Sequence, residues 1–320
     1  MVSTLIACGS RQTTDDCKNP NTIMDSISAD PDGLIFWTAD TIKETNMPLV
    51  LLMDSLYRFV WSDEFQSNNL TDNIRWMSNY RTQLSAYYDR NKMGEDTTPS
   101  FNKADSVIQS ANKLWKLDDN FSTMGMIINN DTKRTRDVFT HYNDFLNLLD
   151  LCNSEESKRA LMAEFEAWNN FEDAISDISA NLIELRYCGG SGEGPASTAA
   201  YLKILDAHIQ LYKKESDWVK HFGNFETMGV NPQLAKDLLI KCCQNAYVEN
   251  YAHDYALRNE PYKKVAIGTK HSISQLSPII DEWLEARSYW VSLNSSGWSK
   301  KFYNLNTGEV LLKLSNIICL

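Results

Sequence analysis

The chain has 320 residues, of which 43% are hydrophobic, enough for a sizeable core, and it contains only eight prolines and thirteen glycines. Its formal net charge of -11 argues against nucleic-acid binding, which needs a basic surface. The same charge is compatible with a basic protein partner, and equally with an acidic surface that only keeps the protein soluble.

The N-terminus resembles a bacterial lipoprotein signal. The run from Leu5 to Gly9 places an apolar and a small residue before Cys8, the residue that would be lipidated. The polar stretch from Ser10 to Asn21 would then be a flexible tether, so residues 1–21 comprise the signal remnant and the tether. A signal peptide needs an apolar stretch of about 7–15 residues, but only seven residues in all precede Cys8. Either the signal begins upstream of Met1, or the match is accidental. We expect a protein held on a bacterial envelope membrane by a lipid anchor, on its periplasmic or surface face.

Helical periodicity dominates the region 22–130. Pro48 suits the first turn of a mostly buried helix that continues to Trp61, and two further helices are predicted over residues 72–88 and 101–117. A long fourth helix of uncertain start ends near Leu151. The run from Asn129 to Asp131 is a candidate interruption of it.

The region 131–222 centres on one long amphipathic helix. Asn153 or Ser154 can cap its start. Its apolar stripe has spacings of three and four: Leu161, Phe165, Trp168, Phe171, Ile175, Ile178, Leu182 and Leu185. Gly189 and Gly190 stop the helix, where glycine takes a left-handed conformation at little cost. A loop through Pro195 then leads to a return helix that starts near Ser197, and the two helices form an antiparallel hairpin.

Three features of this hairpin resemble the LprI-like lysozyme inhibitor family of secreted bacterial proteins. They are the Trp168 to Asp173 segment with Phe171, the Gly189-Gly190-Ser191 loop, and the closing helix. The resemblance covers residues 135–215. It implies a helical fold, a non-catalytic inhibitory function, and partner-binding positions at Trp168, Phe171, Asp173, Gly189, Gly190 and Ser191.

The hairpin also departs from that family. Glu172 stands where the family usually has arginine, Ser176 stands near a usual cysteine, and the return helix has no cysteine. The internal disulfide of the family therefore cannot form in its usual place. A second motif, Trp283 with Arg287, echoes the first with the arginine present, which suggests an internal repeat or a chance similarity between amphipathic helices.

The region 223–320 is also predicted to be helical. Pro232 begins one helix, the run from Asn259 to Gly268 breaks it, and Ser272 or Ser277 starts the next. A turn is predicted at Asn306 to Gly308, with a short helix or a strand after it.

The reactive side chains support no cofactor and no metal site. Six cysteines remain after Cys8, so up to three disulfides can form, but Cys152 and Cys188 flank the central helix and lie about 50 Å apart at about 1.5 Å per residue. The sequence has neither Cys-x-x-Cys nor His-Glu-x-x-His. Carboxylates on the central helix, including Glu164 and Glu172, favour a solvated face over a glycosidase pair.

The sequence therefore predicts an all-α protein of antiparallel helical hairpins, with an N-terminal region (22–130), a hairpin domain (131–222) and a C-terminal region (223–320). We expect a non-catalytic envelope protein that binds another protein. A lysozyme inhibitor is the form that the family resemblance implies, with the loop from Gly189 to Pro195 as its inhibitory wedge. A scaffolding lipoprotein without an enzyme target and a cell-wall glycan hydrolase are the alternatives.

Overall fold

The computed structural model describes residues 47–67, 69–91, 93, 103–114, 123–187, 190, 192–221, 231–258, 263–293 and 299–319. These residues form ten helices and no strand, which confirms the all-α prediction. The helices are α1 (Met47–Val60), α2 (Asp63–Ser67), α3 (Leu70–Arg90), α4 (Lys103–Leu114), α5 (Thr123–Leu151), α6 (Glu155–Tyr187), α7 (Glu193–His221), α8 (Pro232–Arg258), α9 (Lys263–Leu293) and α10 (Ser299–Ile318). None of the helices in the described part of the chain is long and apolar enough to cross a membrane.

Local capping explains where several helices begin. The Asn69 side chain accepts from the backbone N–H of Asp72 at 3.0 Å and caps α3. Ser154 caps α6 by accepting from Ser157 N–H at 3.1 Å. Asn231 caps α8 in the same way, and Pro232 follows it in the first turn, where no backbone N–H is needed.

Two apolar cores meet along α6. The N-terminal half of α6, with Leu161 and Phe165, packs into a core with α1, α3, α4 and α5. The C-terminal half, from Trp168 to Leu182, packs into a second core with α8, α9 and α10. All eight residues of the predicted stripe are buried, which confirms that part of the prediction. Helix α7 lines both cores, since Leu205 belongs to the first and Ile204 to the second.

Several predicted boundaries are wrong. Asn129 to Asp131 do not interrupt α5, and the predicted domain boundary at 130 falls inside this helix. Helix α7 begins at Glu193 rather than near Ser197, so Pro195 lies in its first turn and not in the loop. Of the two glycines expected to end α6 in a left-handed conformation, Gly190 does not take it and Gly189 lies outside the described residues. Gly190 is confined by space instead, since an added Cβ would lie 3.1 Å from the Tyr187 carbonyl oxygen.

The C-terminal region differs most from the sequence prediction. Helix α9 starts at Lys263 and continues through both Gly268 and Pro278, where a break and a new start were expected. The predicted turn at Asn306 to Gly308 is helical, within α10. Packing decides both cases, because α9 lies along much of α6 and α10 is buried against α8 at Val310, Leu311 and Leu314.

One disulfide joins α8 to the C-terminal end of the chain. Cys242 pairs with Cys319, with Cα atoms 5.7 Å apart and a sequence separation of 77. Cys152 and Cys243 are free thiols. The other three cysteines, Cys8, Cys17 and Cys188, lie outside the described residues.

Candidate functional site

The two tryptophan motifs meet in the interior of the protein. Trp168 on α6 and Trp283 on α9 pack edge to face, with ring centroids 5.1 Å apart. The indole N–H of Trp168 donates to Glu172 at 2.7 Å, one helical turn along. The indole N–H of Trp283 donates across the helix interface to Glu164 at 2.9 Å. Both rings are fully buried, so the tryptophans orient a polar cluster inside the bundle.

Glu164 is the central acceptor of that cluster. Its Oε1 accepts from Trp283, from Arg287 at 3.0 Å and from His208 at 3.4 Å, while its Oε2 accepts from the Tyr212 hydroxyl at 2.6 Å. Helices α6, α7 and α9 each contribute to this set. A fully buried carboxylate needs such a set of donors, because an unpaired charge in a low-dielectric interior is strongly unfavourable.

A pair of histidines extends the cluster toward α5. His141 Nε2 lies 2.7 Å from His208 Nδ1. One proton on Nε2 of each ring satisfies both contacts, with His141 donating to His208 and His208 donating to Glu164. Burial lowers the pKa of His208 to about 4 and that of His141 well below its usual value, so both rings are neutral near pH 7. The indole of Trp168 stacks on the His208 ring at a centroid distance of 3.9 Å.

Arg287 carries the positive charge of the cluster. Its guanidinium donates to Glu164, to Glu215 on α7, and to the Thr307 hydroxyl on α10 at 3.1 Å. Burial by itself would raise the pKa of Glu164, but Arg287 and the donated hydrogen bonds prevail and lower it to about 2. Burial raises the pKa of Glu215 to about 7, even though Arg287 acts in the opposite direction. One guanidinium therefore balances one fully ionised carboxylate and a second that titrates near neutrality.

The predicted binding motif is divided between core and surface. Trp168 and Phe171 are fully buried, as are Trp283 and Arg287 of the second motif. In this conformation a partner in solvent cannot contact these four side chains. Asp173 and Gly190 are exposed, as a binding role requires. Gly189, Ser191 and Cys8 lie outside the described residues.

The exposed face of α6 carries a line of carboxylates. Glu166, Asp173 and Asp177 are exposed and Glu184 is half-buried, and their spacings of seven, four and seven keep them on one side of the helix. They span about 27 Å at about 1.5 Å per residue. The first three form no ion pair within the described part of the chain. Arg159 is exposed about two turns before Glu166, beyond the N-terminal end of this line. We call the four carboxylates Glu166, Asp173, Asp177 and Glu184 the acidic face.

The sequence interpretation placed the carboxylates of α6 together on a solvated face, and the structure divides them. Glu164 and Glu172 point into the bundle, whereas Glu166 and Asp173 are exposed. Helical periodicity predicts the inward position of Glu164, because Glu164 lies between Leu161 and Trp168 on the apolar stripe. The partners of Glu164 come from distant helices, so no local signal identifies His208, Glu215 or Thr307 as members of the cluster.

The side chains of the cluster resemble those of catalytic sites, but their environment is closed. Glu164, His208, Glu215 and Arg287 are at most 1% exposed, so a molecule in solvent cannot reach them in this conformation. Among the described residues, no group of three or more His, Cys, Asp or Glu side chains is placed to hold a metal ion. Among the candidate residues on α6 and the segment after it, the acidic face and Gly190 are within reach of a partner.

Fold and site together define the class of this protein: a helical bundle with a buried ion cluster and an exposed acidic face on its central helix. Comparison with known proteins found no matching family model, no matching curated protein and no matching solved structure.

Proposed function

We propose that the chain is a non-catalytic binding protein whose acidic face on α6 docks a basic protein. The main supporting observation is the line of carboxylates on the helix that joins the two cores, because Glu166, Asp173 and Asp177 form no ion pair with a described residue. A rigid helix fixes the positions of these charges, so they do not have to be ordered when a partner binds. The net charge of -11 supports the same class of partner, because it attracts cations at long range.

The specific form of the proposal is a lysozyme inhibitor on a bacterial envelope, anchored through lipidated Cys8. The resemblance of residues 135–215 to the LprI-like family supports it, and lysozymes are basic proteins. Gly190 follows the end of α6 shortly after Glu184, so a partner seated on the acidic face would reach Gly190 as well. The loop would then act as the wedge, and the carboxylates would supply the attraction.

The test is a titration of lysozyme activity with the full chain. The proposal expects a stoichiometric complex, loss of activity, and weaker binding as salt rises, because exposed charges are screened beyond about 8 Å at physiological ionic strength. The double variant Glu166→Gln/Asp177→Asn removes two charges from the acidic face and should weaken the complex by about tenfold, or about 1.4 kcal/mol.

A matched control removes two charges elsewhere. Asp63 and Glu64 are exposed on α2, and Asp63→Asn/Glu64→Gln changes the net charge by the same amount. This control should bind like the parent. If both double variants weakened the complex equally, the effect would come from net charge alone, and the proposal that the acidic face is the binding site would be wrong. Binding without loss of lysozyme activity would support a basic protein partner but would reject the proposal of a lysozyme inhibitor. If the chain bound no basic protein even at large excess, the alternative of a scaffolding protein would remain.

A further inference from the structure

Helix α8 has two apolar faces, and the described residues cover only one of them. Its inner face packs on the second core through Ala235, Leu239 and Cys243. On the opposite side, Leu234, Leu238, Val248 and Tyr255 are 66%, 41%, 64% and 55% exposed. A surface helix normally has polar side chains opposite its buried stripe. Four large apolar side chains on one outer face therefore indicate a surface that is covered by a partner.

The spacing of this outer face is that of a helix-pairing seam. Leu234, Leu238, Lys241, Asn245, Val248, Ala252 and Tyr255 follow one another at alternate steps of four and three, and all seven are exposed. This alternation places residues at the a and d positions of three heptads. The seam is about 32 Å long at about 1.5 Å per residue. Its polar members are Lys241 and Asn245, and they occupy the middle.

The charges along the seam select a second copy of the same helix in antiparallel orientation. A two-fold axis near Asn245 brings Lys241 of one copy to Glu249 of the other, and the same contact recurs by symmetry. Glu249 is exposed beside Val248, and neither it nor Lys241 forms an ion pair with a described residue. The parallel arrangement would instead place Lys241 against its own copy, which is repulsive.

The apolar residues agree with the same axis. The axis places Leu238 of one copy opposite Ala252 of the other. It also brings Leu234 within one residue of the position opposite Tyr255. Large side chains at one end of the seam therefore meet smaller or aromatic side chains at the other end. Asn245 lies on the axis, where the two side-chain amides can hydrogen-bond to each other. A single polar asparagine in an apolar seam fixes register and orientation.

We propose that two copies of this chain pair through the outer faces of α8, antiparallel and centred on Asn245. This interface lies on a different helix from the acidic face, so it stands independently of the proposed function.

The test is the mass of the full chain in solution, measured by sedimentation and light scattering up to about 100 µM, where even a micromolar dimer is populated. The wild type should be a dimer. Leu238→Glu should give a monomer, because it places a charge in the apolar seam. Lys241→Glu and Glu249→Lys should each weaken the dimer, since each places like charges together.

The decisive variant is the double exchange Lys241→Glu/Glu249→Lys, which recreates both ion pairs with their signs reversed and should restore the dimer. Lys203→Glu, an exposed change of the same kind on α7, is the control and should leave the dimer intact. Far-ultraviolet circular dichroism shows that each variant remains folded. A wild-type monomer at about 100 µM, or a double exchange no better than the single ones, would overturn the proposal.

Discussion

Arg287 and Glu164 form an ion pair with no solvent exposure on either side chain, with 3.0 Å between Nη1 of Arg287 and Oε1 of Glu164. The pair joins α9 to the central helix α6 at the level where the two apolar cores meet. Its charges lie in a low-dielectric interior, so each depends on the other for stabilisation. Breaking such a pair by removing one partner is therefore expected to be far more damaging than breaking a surface pair.

The first prediction follows directly from this pair. Arg287→Met removes the guanidinium and leaves Glu164 and Glu215 without their shared cation, so we expect the free energy of unfolding to fall by about 3–5 kcal/mol. Urea titration followed by tryptophan fluorescence measures the change. Arg75→Met provides the control, because Arg75 pairs with Asp72 on the surface of α3. Such pairs contribute about 0–1 kcal/mol, and similar losses in the two variants would contradict the assigned role.

The second prediction concerns pH. The pKa of Glu215 is raised to about 7 in the folded protein, whereas an ordinary glutamate titrates near 4.3. Between these values the folded state retains a proton that the unfolded state has released, so this group lowers the free energy of unfolding as pH rises. Glu215→Gln cannot titrate. The variant should therefore gain stability relative to the wild type between about pH 4 and about pH 7, by up to about 1.4 kcal/mol per pH unit.

Urea titrations of both proteins at several pH values measure this difference. Other groups of the interior also have shifted pKa values, and two of them are Glu172 and His208. Burial raises the pKa of Glu172 to about 7, and His208 is lowered to about 4 by burial. Both remain in the variant, so their contributions largely cancel in the difference. A relative stability that stayed constant or fell with rising pH would show that Glu215 is already ionised in the folded protein.

The buried cluster also shows where sequence reasoning succeeds and where it stops. The apolar stripe of α6 and its Ser154 cap follow from periodicity and local hydrogen bonding, and both are confirmed. The inward position of Glu164 also follows from the period, but a charged residue there has meaning only through Arg287 and His208, which lie far along the chain. Long-range pairing of this kind has no signal in a single sequence. The continuation of α9 through Pro278 also depends on tertiary packing, because proline alone favours a break in a helix.

The third prediction compares two glycines near the loop between α6 and α7. An added Cβ at Gly190 would lie 3.1 Å from the Tyr187 carbonyl oxygen, whereas one at Gly194 would meet nothing within 4 Å. Gly190→Ala should therefore lower the melting temperature, because the backbone must shift. Gly194→Ala, in the first turn of α7, should stabilise the protein by up to about 0.5–1 kcal/mol through the higher helix propensity of alanine. Calorimetry of the two variants checks the opposite signs, and a shared sign would show that local space at the loop does not decide the outcome.

The fourth prediction concerns the disulfide between Cys242 and Cys319. It closes a segment with a sequence separation of 77 and ties the C-terminal end of α10 to α8. Cross-linking a segment of that length restricts the unfolded chain, so its loss should lower the free energy of unfolding by about 4 kcal/mol. Cys319→Ser should show this loss without reductant, and the wild type should show the same loss only with reductant.

The control for that experiment is Cys152→Ser, which removes a half-buried free thiol. This variant should keep the full response to reductant, because its disulfide is intact. Urea titrations of the three proteins with and without dithiothreitol measure the outcome. If Cys319→Ser still lost stability on reduction, another cysteine pair would have to carry the effect. If the wild type did not respond at all, the pair would be reduced under the conditions of the experiment, and the C-terminal end of α10 would be held by the packing of Leu311 and Leu314 alone.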